Sequence, residues 1–239
     1  MRPSKSLLVL ALAVVGPLTA VTGLTDALAQ DPAVAAPLAP SAPLPPVQNV
    51  VDKVQAFYNQ TSTFKSEFQQ TFLVKAYNMT KQSHGLVVFS KPGKMDWSYD
   101  DPAGNRVVSD GTTLHVYEAN NKQLYNQAVS ASQYPAALSF LTGQGQLSTS
   151  FDFELREGEG QMQFPGGWVL IGTPKTPTAA YKKVLFYVDK QSSQIRRVLI
   201  LDGQNNRNIF NFVNPRVNDP VDPNQFVFVA PPGTTVVTP

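Results

Sequence analysis

The 239-residue chain has no cysteine, so it has no disulfide framework, no thiolate nucleophile and no thiol to carry a lipid anchor. Its stability must come from an ordinary hydrophobic core. Histidine is nearly absent: His84 and His115 are the two in the chain, each in or beside a β-type alternation, which leaves little material for a metal centre or an imidazole base. Charge is sparse and balanced, with 19 basic and 17 acidic side chains making up 15% of residues. The adjacent pairs Lys182-Lys183 and Arg196-Arg197 divide across opposite faces of strands and make no basic stripe, so nucleic acid is not an expected partner. No Gly-x-Ser-x-Gly elbow, His-Glu-x-x-His pair or phosphate-cradling loop is present, and Gly143-Gln144-Gly145 reads as the end of a helix. The carboxylates Asp100-Asp101, Glu154, Glu157 and Glu159 read as solvated turn and loop residues. No catalytic residue, metal site or cofactor is therefore expected.

Proline is abundant, with 20 in the chain, and unevenly spread. Arg2 and Lys5 precede the apolar run Leu7 to Leu18, and Ala27-Leu28-Ala29 offers a small-residue cleavage pattern before Gln30, which makes residues 1–29 a secretory signal peptide. The other reading is an uncleaved anchor, since Leu7 to Thr25 carries no charge and approaches the roughly 20 residues a span needs. Gly16, Pro17 and Gly23 weaken that reading. Removing Arg2, Lys5 and Asp26 with the leader leaves 17 basic and 16 acidic side chains. Residues 30–47 hold six prolines among alanines and read as an extended tether, able to reach on the order of 50 Å at about 3.1 Å per residue. The globular domain is then 48–239.

Within that domain Val47, Val50, Val51, Val54, Phe57 and Tyr58 recur at helical spacing. Phe64, Ser66, Phe68, Gln70, Phe72 and Val74 share one face of a strand opposite Lys65, Glu67, Gln69 and Thr71. Gly85 to Ser90 is apolar on both faces and should be covered twice. Met95, Trp97 and Tyr99 alternate with Asp96, Ser98 and Asp100 between two turns, Pro92-Gly93 and Asp101 to Gly104. Asp110-Gly111 then signals a hairpin of type I′. A short helix fits Ser132 to Thr142, with Pro135 in its first turn and Gly143 just past its end.

Further strands fit Phe151 to Leu155, Trp168 to Thr173, Val184 to Asp189, Ile195 to Asp202, Asn208 to Val213 and Phe226 to Val229. On the Ile195 strand, Ile195, Arg197, Leu199 and Leu201 are expected to face one way and Arg196, Val198 and Ile200 the other. About eleven short strands against two or three helices indicate a mainly β fold of α+β type, a strongly curved antiparallel sheet or unclosed barrel with helices over its hollow side. Met95, Trp97, Tyr99, Phe140, Leu141, Phe186, Phe210 and Phe212 exceed what a meander needs. The pattern leaves open whether they fill a sandwich core or line a pocket.

Several ordered features then carry a resemblance: Phe64-x-x-x-Phe68-x-Gln70, Gly85-x-x-x-Phe89-x-Lys91-Pro92-Gly93-Lys94-Met95-x-Trp97-x-Tyr99, Ser109-Asp110-Gly111-Thr112-x-Leu114-x-x-Tyr117 and Leu138-x-Phe140-Leu141-x-Gly143. With Leu170-x-x-x-Pro174, Asp202-Gly203-x-x-Asn206 and Phe226-x-Phe228-x-x-Pro231-x-Gly233-x-x-Val236, the chain resembles the periplasmic outer-membrane lipoprotein carrier family, LolA, over about residues 48–237. The resemblance implies an unclosed β-barrel with a helical lid over an apolar cavity for the acyl chains of lipoproteins. It places Val54, Tyr58, Met95, Trp97, Val107, Leu138, Phe140 and Leu141 at that cavity and its lid. It makes Lys91 the lid latch, where the family often carries Arg, and lysine's point charge makes a looser latch than a guanidinium fork. Met95 stands where Phe is frequent and is more adaptable.

The implied partners are acylated lipoproteins, an inner-membrane lipoprotein-releasing ABC transporter and an outer-membrane acceptor, protein or membrane, with the carrier a periplasmic monomer. A lipid- or lipoprotein-sensing module on the same half-barrel is the alternative, followed by a β-sandwich interaction module and, distantly, a hydrolase. Mass spectrometry of protein recovered gently from its native envelope is expected to show a mature chain beginning at Gln30; a retained residue 1–29 segment would favour the anchored sensor.

Overall fold

The computed structural model describes residues 43–129, 139–143 and 145–237. Its first element is helix α1 (Val47–Asn59), which begins directly after Pro45-Pro46, where a fixed φ suits a helix start. Val50, Val51, Val54 and Tyr58 form its buried stripe. On the exposed side Gln48 donates to Asp52 and Gln55 to Asn59, one helical turn apart.

Strands β1 (Thr63–Val74), β2 (Met79–Ser90), β3 (Lys94–Asp101), β4 (Arg106–Asp110), β5 (Thr113–Glu118) and β6 (Gln123–Ala128) follow as an antiparallel meander. A four-residue helix, α2 (Leu147–Ser150), leads into β7 (Phe151–Glu157), β8 (Gly167–Pro174), β9 (Lys183–Asp189), β10 (Ile195–Leu201) and β11 (Arg207–Val217), a second antiparallel run. β11 pairs with β1 along almost its whole length, joining the two runs. The last strand, β12 (Thr235–Val237), adds in parallel to β6. The result is one twelve-stranded sheet in the order β12-β6-β5-β4-β3-β2-β1-β11-β10-β9-β8-β7. Its terminal strands do not pair with each other, so it is an open curved sheet, mainly β with two helices.

Alternation places Phe64, Phe68, Val87, Phe89, Met95, Trp97, Val107 and Phe210 on the inner face under α1, all buried. Part of the outer face of the meander is also dry, although Glu67, Gln69 and His84 on it are exposed. Val88, Asp96, Val108 and Tyr117 point outward yet are buried, and residues 223–228 pack over β3, β4 and β5 on that side. Within Gly85 to Ser90, Val87 and Phe89 are buried inward and Val88 outward, while Leu86 is half-buried.

The tail overturns one expectation. Phe226 to Val229 is not a strand: Pro223–Phe226 is a 3-10 turn whose start is capped by the Asp222 carboxylate accepting from Asn224 N at 2.9 Å. Phe226 is buried near Lys94, and the Phe228 ring lies 5.8 Å from His115 and 5.6 Å from Tyr117. The alternation of the two phenylalanines serves packing on a sheet, not pairing within one. Asp96 and Arg106 anchor this strap. Arg106 grips the buried Asp96 carboxylate at 2.9 and 3.1 Å and donates to Gln225 O at 2.8 Å, while Gln225 Nε2 returns a hydrogen bond to Asp96 at 3.2 Å.

Three local expectations also change. The loop of the β4–β5 hairpin is Gly111-Thr112, with positive φ at Gly111 alone, because Asp110 stays in the ladder and its carboxylate accepts from Thr112 N and Thr113 N at 2.7 and 2.8 Å. A bulge between Ile195 and Arg197 returns Ile195 to the inner face with Val198 and Ile200, leaving Arg197, Leu199 and Leu201 outside. His84 lies within β2, which starts earlier than Gly85 suggested. Of the helix expected over Ser132 to Thr142, residues 132–138 lie outside the described residues, and Ser139–Thr142 is a 3-10 turn followed by Gly143 at φ +77°.

Arg106→Ala strands a buried carboxylate and is expected to cost about 3 kcal/mol in denaturant unfolding, part of which a second change, Asp96→Asn, restores. The hydrogen bonds from the Thr113 and Thr112 backbone, then from the Thr112 hydroxyl, hold the Asp110 carboxyl at about 2, below its ordinary 3.8. The unfolded chain therefore takes up this proton first, so the stabilisation is present above pH 3.8 and lost as pH falls toward 2. Asp110→Asn is expected to flatten that segment of the stability profile in acid titration.

Candidate functional site

The inner face is built by strand register. Trp97 on β3 stands opposite Val107 on β4 and Val87 on β2, and Met95 stands opposite Phe89. Across β2, the Phe68 ring meets Trp97 at 4.9 Å and Tyr99 at 5.0 Å, and Phe210 of β11 meets Trp97 at 5.2 Å. Edge-on contacts dominate, the arrangement favoured by ring quadrupoles. A further row, Leu155-Leu170-Phe186-Val198-Phe210, continues the surface through β7, β8, β9, β10 and β11. The face is one continuous hydrocarbon surface from β4 to β7.

Two elements roof it. α1 places Val54 and Tyr58 on the face, both fully buried. The 3-10 turn at Ser139–Thr142 contributes Leu141, also buried. Leu138 and the Phe140 side chain lie outside the described residues.

Polar bonds fix where the roof sits. Tyr58 OH accepts from Ile195 N at 3.1 Å, taking the amide that the β10 bulge frees from the ladder. Burial raises the Tyr58 phenol well above its ordinary value, so it stays protonated. Lys91 Nζ donates to Tyr58 O in the last turn of α1, where backbone carbonyls lack helical partners and a cation suits the dipole. Burial pushes the Lys91 amine below its ordinary 10.5.

The lysine stem also lies against Gly143, where a Cβ would come 2.8 Å from Lys91 Cδ, and Gly93 N donates to Thr142 O at 2.9 Å. One residue thus touches both roof elements. Gln55 Oε1 accepts from Leu147 N at 2.8 Å, tying α1 to α2 as well.

Of the residues expected at the site, Val54, Tyr58, Met95, Trp97, Val107 and Leu141 come together with Lys91 at the roof's edge. Sequence reading missed the Tyr58–Ile195 bond, because a bulge leaves no pattern in a seven-residue strand. It also gave no weight to the buried polar residues Gln70 and Asn208, which lie on this face and hydrogen-bond at 2.9 Å. Among the described residues no group of three or more His, Cys, Asp or Glu is gathered as for a metal ion. Glu154 and Glu157 are on β7, where they pair with Arg156 and Lys190 at 3.2 and 2.8 Å.

The sequence profile of the family described as "Outer membrane lipoprotein carrier protein LolA" matches residues 59–229. The outer-membrane lipoprotein carrier protein of Nitrosomonas europaea is 25% identical over 199 residues, covering 82% of this chain and 92% of its own. That of Dechloromonas aromatica is 28% identical over 192 residues, covering 78% and 86%. Among solved structures, an uncharacterized conserved protein from Thermus thermophilus superposes with a TM-score of 0.51 at 14% identity, over 80% of this chain and 98% of that one, a likeness of fold alone. With its profile match spanning most of the globular part, the chain belongs to the LolA outer-membrane lipoprotein carrier family.

Proposed function

We propose that this protein is a periplasmic, non-enzymatic carrier that takes the acyl chains of lipoproteins onto its inner face after an inner-membrane ABC transporter releases them, and passes them to the outer membrane. It acts as a monomer, with residues 1–29 removed and 30–47 serving as a tether. The observation that carries this reading is the continuous aromatic and aliphatic inner face, roofed by α1 and the Ser139–Thr142 turn, whose attachment converges on Lys91. Membership of a family whose relatives are named lipoprotein carriers supports it.

The energetics fit a soft, covered site. A palmitoyl-length chain exposes about 15 methylenes at about 0.8 kcal/mol each, so crossing water unaided costs on the order of 12 kcal/mol per chain. A carrier must replace most of that burial, yet hold the chain less tightly than the acceptor does. Empty, the inner face is dry because the roof lies on it; loaded, hydrocarbon takes the roof's place. Cargo therefore competes with the roof for one surface, and the strength of the roof's attachment sets the affinity.

Lys91→Met removes the bond to Tyr58 O while keeping an unbranched apolar stem. It is expected to tighten binding of a fluorescent acyl probe by about threefold to tenfold, because the covered empty state loses stability that the loaded state does not use. Unchanged or weaker binding by a folded variant would count against a roof that lifts.

A further inference from the structure

Among the polar side chains set into the inner face, Gln70 on β1, Tyr99 on β3 and Asn208 on β11 are joined by hydrogen bonds. All are more than nine-tenths buried. Tyr99 OH donates to Gln70 Oε1 at 3.2 Å, and Gln70 Nε2 donates to Asn208 Oδ1 at 2.9 Å. Tyr99 and Gln70 stand on strands separated by β2. Gly85 stands in register between Tyr99 and Phe68, two residues along β1 from Gln70, and a Cβ there would come 2.0 Å from Ser98 O and 2.9 Å from Tyr99 Cα.

The chain of bonds ends on a donor that no protein group takes. Gln70 occupies Asn208 Oδ1, which turns the Asn208 amide so that Nδ2 points away from Gln70, and Nδ2 has no hydrogen-bond partner among the described residues. That N–H is left to solvent at the margin of the face, so the acceptor of a bound molecule can take it without displacing a bond within the protein.

Its surroundings grade from dry to wet. Asn208 is flanked in register by Phe72 and Ile200. One strand further on the same face, Lys81 stands opposite Phe72 and Ser83 opposite Gln70, both only half-buried. Inward lies the Trp97 cluster, sealed from solvent. An amphiphile laid along this gradient puts its tails at Trp97, its polar group toward Lys81 and Ser83, and the junction between them at Asn208.

We propose that Asn208, oriented by Gln70 and Tyr99, donates a hydrogen bond to the carbonyl oxygen of an acyl ester or amide linkage, fixing how deep the tails enter. A hydrocarbon tail offers nothing to an N–H donor. The carbonyl at its head is an uncharged acceptor at the depth where the donor sits. This inference rests on the acyl-carrier reading and adds to it a polar contact that distinguishes acyl linkages from bare hydrocarbon.

The test compares a diacylglycerol diester with its diether of equal tail length, each displacing a fluorescent hydrocarbon probe from the mature protein. The wild type is expected to favour the diester about threefold to tenfold, the worth of one net hydrogen bond. In the double variant Gln70→Met with Asn208→Leu, which leaves no orphaned partner, the ratio is expected to fall to about one. Because the readout is a ratio, it does not depend on how tightly each variant holds tails.

Asn208→Asp keeps the shape and the bond from Gln70 but replaces the donor by an acceptor, and should favour the diether even if the double variant fails to fold. A wild-type ratio of one, or a preference that survives in these variants, overturns the carbonyl contact while leaving acyl binding intact. Failure of probe, diester and diether alike to bind the wild type would sink the carrier reading and this inference with it.

Discussion

An open sheet that carries an aromatic surface on its hollow side has to have that surface covered, and most of the structure follows from this need. Twelve strands in one sheet cannot bury their own inner face without closing, and β7 and β12 do not meet. Cover therefore comes from elsewhere in the chain: α1 and the Ser139–Thr142 turn inside, and residues 223–228 over β3, β4 and β5 outside. Apolar contact has little directional preference and would let a helix slide. The last turn of α1 is held instead by two directed bonds, Tyr58 OH to the freed Ile195 amide and Tyr58 O to Lys91. The inner cover is attached through a few polar points, whereas the outer strap is held through a buried ion pair as well as rings.

That asymmetry fits the proposed carrier role. The outer strap has the buried Asp96 carboxylate beneath it, and lifting it would expose a charge pair and the Phe226 and Phe228 rings together. The inner roof meets hydrocarbon with hydrocarbon. Replacing it by an acyl chain exchanges like for like, at the expense of few hydrogen bonds. In the proposed carrier, one side of the sheet stays covered and the other is exchanged.

Much of this was legible in the residues. The two-residue alternation in Phe64 to Val74 and Met95 to Tyr99 gave the inner face, and the valine spacing gave α1, because both periods follow directly from backbone geometry. The burial of Val88 outward as well as Val87 and Phe89 inward was legible from the apolar composition of Gly85 to Ser90. What escaped were features with no period. The Ile195 bulge inverts a face by one residue; Phe226 and Phe228 alternate like a strand yet pack as a strap; Gln70 and Asn208 look like ordinary polar residues until register puts them side by side. Such features depend on partners more than a hundred positions away, and no local window contains them.

The seam between β1 and β11 has a consequence for how the molecule comes into being. Phe64 is matched with Val217, so the central pairing of the sheet cannot form until nearly the entire chain is present. The meander from β1 to β6 and the run from β7 to β10 each assemble from neighbours, but until they join, each holds half of a greasy surface with no opposite half. Long-range closure of this kind is slow. A newly made chain of this protein is itself, for that interval, an aggregation-prone passenger in need of shelter.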